Sequence, residues 1–402
     1  PFRAAGRPET HLVLERLIDM GAQKIGMDRK ELRLKNLIPQ DAMPFTTPMG
    51  MVYDVGGYPE ALEGVAGIME YGSFEARREQ SKADGKLRGI SLVPFVESPV
   101  GAPFEMGRVE LGADGKATIF AGTQNHGQGH ETTYPQVVSE LLGIPYEDIS
   151  MAWGDSMLLA RGGGTHSDRS MRMMGTVLYE ISKDLIEKGK PVAAHLLQAD
   201  QAAIEFVDGK FKIEETGQET DFQQVAAAYS EFSGSPEPLM SEYFQEGRIK
   251  AFPYGASAAE IEIDPDTGSM TICKYGIVDD CGQAVNPMIV HGQTHGGIVQ
   301  GAGQAMGECA FFDPNSGQLL TGSFMDYMMP RADQFPMFEI GTMEVPSHTN
   351  PLRIKAGGEA GTVPALAVIA NAVLDALSPY GIEHFDMPYT ASRIWAEIKK
   401  AG

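Results

Sequence analysis

Three glycine-rich segments carry most of the side chains that could do chemistry. In residues 122–130, glycines at 122, 127 and 129 alternate with Gln124, Asn125 and Gln128, and a helix is expected from Glu131. Glycines let backbone N–H groups come close to a ligand, and a helix start favours an anion. Gln128 can both donate and accept, which suits the edge of a heterocycle. The same composition also describes a plain strand-to-helix turn. Residues 161–170 read Arg-Gly-Gly-Gly-Thr-His-Ser-Asp-Arg-Ser before another expected helix. Its N–H and hydroxyl groups resemble a phosphate cradle without P-loop spacing, and a flexible surface loop has the same composition. There Asp168 is unfavourable beside a phosphate unless Arg169 or Arg172 offsets it. In residues 355–362, Glu359 stands among small neighbours just before a helix that can start at Pro364. A carboxylate in a dry pocket can serve as a base near neutrality. One near a helix start can equally be a partner of its dipole. His126 and His130 are four apart, as are His291 and His295, a spacing that binds metal when helical. Gly127 and Gly129 argue against a helix between the first pair.

The elements that would position these groups follow from periodicity. A helix is expected over 8–20, stopped by Gly21, and a second opens on the Asp28–Glu31 capping spacing. Residues 77–88 are polar and charged and read as a solvated surface or linker. Hairpins are expected around Asp114-Gly115, Asp208-Gly209 and the 264–268 turn. Helices are expected over 131–142, 170–188, 295–308 and 363–377, and residues 230–238 form the best internal boundary. The methionines at 171–174 and 328–329 read as core filler. A hairpin precedes both 126–130 and 291–297, a faint internal echo of two turn-rich segments. Strands and helices mix without βαβ alternation, so the fold class is α+β, with mixed sheets and helices.

Composition excludes several classes. The chain has 402 residues, 43% hydrophobic and 21% charged, which fits packed globular units. Its net charge of −22 disfavours nucleic acid as a partner, though local N–H groups and arginines could still hold a small anion. Cys273, Cys281 and Cys309 form neither a disulfide framework nor a metal motif, and they fit a reducing, cytoplasmic setting. No run of about 18 apolar residues suggests a membrane span. The amino terminus has no signal-peptide core, and Arg3 and Gly6 sit inside what reads as a continuing motif.

Taken in order, these segments resemble the molybdenum hydroxylases: xanthine dehydrogenases, aldehyde oxidases and carbon-monoxide-dehydrogenase-like large subunits. Residues 2–9 are similar to F-R-G-x-G-x-P-[EQ], and residues 122–133 to G-T-x-x-x-G-Q-G-H-x-T. Gly154-Asp155 with residues 164–170 resembles G-D followed by a Gly/Ser/Thr-rich turn, residues 292–301 G-Q-x-x-G-G-x-x-Q-G, and residues 355–361 K-x-x-G-E-x-G. The resemblance implies that Glu359 is the catalytic base of an oxidative hydroxylation of an aldehyde, an N-heterocycle or CO, with water as oxygen source. It implies that Gln128, Gly129, His130, Thr165, His166, Ser167, Ser170 and Gln300 hold a molybdopterin, as its cytosine dinucleotide, with Arg3 and Ser167 beside the molybdenum and no metal ligand from the protein. Iron–sulfur clusters and FAD would sit on a small and a medium partner subunit, in a dimer of heteromers.

Residues 1–75 would be a helical segment continuing from a preceding half of the molybdenum subunit, in a split gene product or a shortened chain. Residues 89–229 and 240–402 would be two similar elongated molybdopterin-binding subdomains, the second carrying Glu359. The absent half would leave an apolar face exposed. Three departures stand out: Ala4 for the usual Gly, Ala5 where xanthine-type enzymes place a stacking aromatic, and Asp168 where a hydroxyl residue contacts the cofactor tail. Two rival readings remain: a metal-dependent hydrolase using His126, His130, His291 and His295, and a non-catalytic scaffold subunit.

Overall fold

Two four-stranded sheets frame the molecule in the computed structural model, which describes residues 3–98 and 100–402. Phe2 of the amino-terminal motif lies outside the described residues. In the first sheet the strands run Leu239–Glu246, Phe104–Leu111, Ala117–Ala121, Ile149–Trp153. In the second they run Glu339–Met343, Met270–Asp280, Tyr254–Ile263, Leu87–Val96. Each sheet is antiparallel except for one parallel pair at an edge. Mixed sheets with helices are the α+β class that the sequence implied.

The strand pairing runs across the expected boundaries. Leu87–Val96, which begins beside residue 89, pairs along its whole length with Tyr254–Ile263 in the second sheet. Leu239–Glu246, assigned to the second unit, pairs with Phe104–Leu111 in the first. Tyr254–Ile263 is buried at nearly every position because helices cover both of its faces, Tyr58–Ile68 on one and Thr362–Ala376 on the other. Such a strand gains more from a partner on each edge than from its neighbour in sequence.

Several local readings change for physical reasons. The helix Arg7–Ile25 runs through Gly21 and ends at Gly26, whose φ of 65° makes the left-handed cap. Asp28 accepts from the N–H groups of Lys30 and Glu31 and opens Arg29–Asn36 as its spacing implied. The polar run 77–88 is no linker: it enters the helix Phe74–Ala83 and the strand Leu87–Val96. Arg77 and Arg88 both pair with buried Glu260, and Arg78 pairs with Asp375. Met173 and Met174 are core, whereas Met329 is half exposed.

The second turn-rich echo is a helix, Pro287–Met306. Its glycines serve helix-to-helix contact. A Cβ at Gly297 would lie 2.9 Å from the Thr362 backbone nitrogen, and one at Gly301 would lie 2.8 Å from Ala365 Cβ. Replacing Gly297 by Val is therefore expected to destabilise the protein by about 1–3 kcal/mol in denaturant unfolding, through forced separation of Pro287–Met306 from Thr362–Ala376. An unchanged midpoint would mean that this contact has slack.

Candidate active site

A cavity of about 530 Å³ gathers residues from all three glycine-rich segments and from the amino-terminal turn. Gln128, His130, Thr165, His166, Ser167, Ser170, Glu359 and Arg3 all line it. The first turns of three helices open onto it as well. They contribute His130 and Thr133 from His130–Leu142, Ser170 and Met171 from Ser170–Leu197, and Ile289 and Val290 from Pro287–Met306. Each helix start carries roughly half a positive charge. That local field lets a chain of net charge −22 receive an anionic ligand.

The loops around the cavity are tied to one another. Arg3 donates from Nε to the Gly358 carbonyl (2.6 Å) and from a guanidinium nitrogen to the Gln293 carbonyl (3.0 Å). It thereby fixes the 355–361 loop against the Pro287 helix. Next to it Ala4, where the family pattern has Gly, is held at φ 64°. Thr165 Oγ1 donates to the Gln124 carbonyl (2.6 Å), joining the first two glycine-rich loops. Ser167 and Asp168 take successive left-handed φ values of 51° and 57°, a strained turn that only strong outside support maintains. The support is Arg169. It is buried against Glu105 at 2.6 Å, and it also bonds the Ala102, Phe104 and Gly164 carbonyls.

His130 stacks on Tyr134, with ring centroids 4.8 Å apart. Burial, then its neighbour His126, lowers its pKa to about 4, so the ring is neutral at physiological pH. His130 Nε2 and Thr133 Oγ1 are buried in the cavity wall with no partner. Gly129 does not itself line the cavity. At φ 82° a Cβ there would lie 2.7 Å from Ile289 Cδ1, so glycine is what admits the Pro287 helix.

At the Glu359 end three carboxylates converge. Oxygens of Glu97, Asp168 and Glu359 lie within 4.8 Å of one another. Arg7 Nη1 donates to Glu359 at 3.1 Å, and Arg7 Nε lies 2.7 Å from Glu97. Burial, then the charge of Glu359, raises the Asp168 carboxyl to about 7. Burial, then Asp168, raises Glu97 to about 10.

Two residues of the family pattern stand apart from the rest. Asp168, where the family pattern has a hydroxyl residue, lies beside Glu359 and Glu97 and follows Ser167 in a left-handed turn. Gln300 is not among the lining residues; Gln293, two helical turns (about 10 Å) earlier on the same helix, is. Sequence reasoning missed Gln293, Gln283, Glu97 and Arg7. Gln293 has the expected side-chain chemistry one repeat earlier on the same helix face; Glu97 has no spacing signal at all.

The four-histidine alternative does not assemble. His126 and His130 line the cavity, whereas His291 and His295, outside its lining, meet Thr342 and the His291 carbonyl. Among the described residues, no histidine joins the cluster of Glu97, Asp168 and Glu359.

The sequence profile of a "Molybdopterin cofactor-binding domain" matches residues 66–336, and a second profile of the same description matches residues 1–37. The chain belongs to the molybdopterin-binding family of the molybdenum hydroxylases. Within that family it is 32% identical over 411 residues to the carbon monoxide dehydrogenase large chain of Hydrogenophaga pseudoflava, covering 98% of this chain and 51% of that one. It is 33% identical to the nicotine 6-hydroxylase large subunit of Paenarthrobacter nicotinovorans, covering 98% and 50%. Among solved structures, reconstituted CO dehydrogenase from Oligotropha carboxidovorans superposes with a TM-score of 0.92 at 29% identity, over 99% of this chain and 52% of that one. Quinoline 2-oxidoreductase from Pseudomonas putida 86 gives 0.89 at 29%, over 97% and 52%. The chain thus spans about half the length of these molybdenum hydroxylase relatives. No helix among the described residues is long and apolar enough to cross a membrane.

The cavity suits molybdopterin on its own chemistry. Three helix starts suit the phosphate, while unpartnered His130 Nε2 and Thr133 Oγ1 offer hydrogen bonds to a polar ligand.

Proposed function

We propose that this chain is the base-bearing half of a molybdenum hydroxylase catalytic subunit, acting on an aldehyde or a small N-heterocycle. The observation that carries the reading is Glu359 in the wall of a cavity whose other residues suit a pterin phosphate. When bound, the molybdenum cofactor supplies the two-electron redox chemistry. The chain's own residues do the rest. Gln128, His130, Thr165, His166 and Ser170 hold the pterin and its phosphate. Arg3 and Ser167 stand near the reactive end. Glu359 accepts a proton at a carboxylate oxygen, oriented by the bond from Arg7 Nη1. Val285, Ile289 and Val290 contribute apolar wall that limits water. Ala5 supplies no stacking ring, which disfavours a purine as substrate.

In the same reading the cofactor is the cytosine dinucleotide form. Iron–sulfur clusters and FAD on partner subunits take the electrons, the polypeptide matching the relatives' other half completes the site, and the assembly is a cytoplasmic dimer of heteromers. Exposed Val13, Leu14 and Leu17 on the Arg7 helix, with Phe324 and Met325, offer apolar surface for such packing.

The test is elemental and pterin analysis of the complete complex, with oxidation of aldehydes and N-heterocycles under an electron acceptor. About one molybdenum and one pterin per chain with turnover is expected. Zinc in place of molybdenum, or no pterin, would overturn the reading.

A further inference from the structure

The carboxylate cluster holds more acid than one base requires. Glu97, just beyond the strand Leu87–Val96, has a fully buried side chain. Arg7 Nε approaches its Oε1 at 2.7 Å but off the hydrogen-bonding direction, and neither oxygen of Glu97 has a directed donor. The directed bonds from Arg7 go to Glu359 and to the Ser98 carbonyl. Both oxygens of Asp168 are likewise buried and without a partner. A buried carboxylate lacking donors is poorly tolerated as an anion, and two more carboxylates nearby make it worse.

We propose that Arg7 and Glu97 are positioning residues for Glu359: Glu97 holds a proton against its two carboxylate neighbours, and Arg7 spans Glu97 and Glu359 so that the base keeps one orientation. The consequence for turnover rests on the reading of Glu359 as base; the protonation of Glu97 does not. The raised pKa of Glu97, about 10, agrees in direction with the geometry. The charged groups facing Glu97 are Arg7 from the Arg7 helix, Asp168 from the 161–170 loop, Arg172 from the helix Ser170–Leu197 and Glu359 from the loop before Thr362–Ala376. Arg3 and Arg172 face Asp168 in addition. One guanidinium thus serves two carboxylates, and the arginines facing Asp168 do not reach Glu97 with a hydrogen bond.

Infrared spectroscopy of the complete enzyme, with and without cofactor, reads the C=O stretch of a protonated carboxyl. A band at about pH 9 that disappears in Glu97→Gln is expected, since an ordinary Glu is ionised there and so is Asp168, raised only to about 7. In activity, Glu97→Ala should lower kcat roughly tenfold or more, and Glu97→Gln, which keeps the shape of the protonated acid, should recover most of it. Arg7→Gln removes the cation beside the base, so the acidic limb of the pH–rate profile should move up by about one unit or more. Arg7→Lys should return the limb while kcat stays low. Absence of the band in the wild type, its survival in Glu97→Gln, or an unmoved limb in Arg7→Gln would each overturn the proposal. A divalent cation at the cluster would abolish the band and so counts against it. Full activity in Glu359→Gln would instead remove the base reading and leave the infrared result standing.

Discussion

Glu359→Gln is expected to lower kcat on the order of 10³-fold, with molybdenum and pterin content unchanged, because the amide keeps the shape and loses the proton acceptor. The binding part of the expectation comes from the position of Glu359. It faces the cavity, but its directed hydrogen bond comes from Arg7, and the neighbouring loop is anchored separately by Arg3 on the Gly358 carbonyl. Removing its charge therefore leaves the cradle residues in place. The measurement is steady-state turnover alongside metal and pterin analysis of the same preparation. Retained turnover would mean that another group accepts the proton; Asp168, raised to about 7, is the neighbour to examine next.

Arg169→Met is expected to cost about 3–5 kcal/mol of stability, since it leaves Glu105 as an uncompensated buried charge. Arg169 and Glu105 are 1% and 0% exposed, and their contact is 2.6 Å. The same side chain holds three carbonyls around the 161–170 loop, and Gly163 runs against its guanidinium where any Cβ would collide. The left-handed turn at Ser167 and Asp168 should relax when that support goes, and pterin content should fall with it. Denaturant unfolding and pterin fluorescence check the two effects. Combining Arg169→Met with Glu105→Gln should cost less than the sum of the single changes, because the stranded charge is then gone. Strict additivity would show that the pair is not coupled.

The parts of this molecule that were legible in the sequence are those whose signal is local. The hairpin at Asp114-Gly115, the Asp28 cap and the apolar run that became the 15-residue helix Thr362–Ala376 each state their structure locally. The cavity residues Gln128, His130, Thr165 to Ser167, Ser170 and Glu359 were findable because glycines and helix starts mark where backbone can meet a ligand. What escaped depends on contacts made far along the chain. The glycines of 292–301 look like a turn until the Thr362 helix is laid against them. Arg77, Arg78 and Arg88 look solvated until Glu260 and Asp375 come up from the sheet and the far helix. Glu97 is an isolated acid after an apolar strand, and only the approach of Arg7, Asp168 and Glu359 makes it part of a site.

Adjacent strands Leu87–Val96 and Tyr254–Ile263 are interrupted by the entire first sheet, which is nested between them. During synthesis the nested unit has all its partners once Leu239–Glu246 has emerged, whereas Leu87–Val96 must wait, edge bare, for a mate more than 150 residues downstream. Glu359, later still, reaches Arg7 and Glu97 only when the outer layer closes. The third acid of the cluster is thus among the last pieces to arrive, and a nascent chain halted before it would carry Glu97 and Asp168 without the carboxylate that Arg7 bonds.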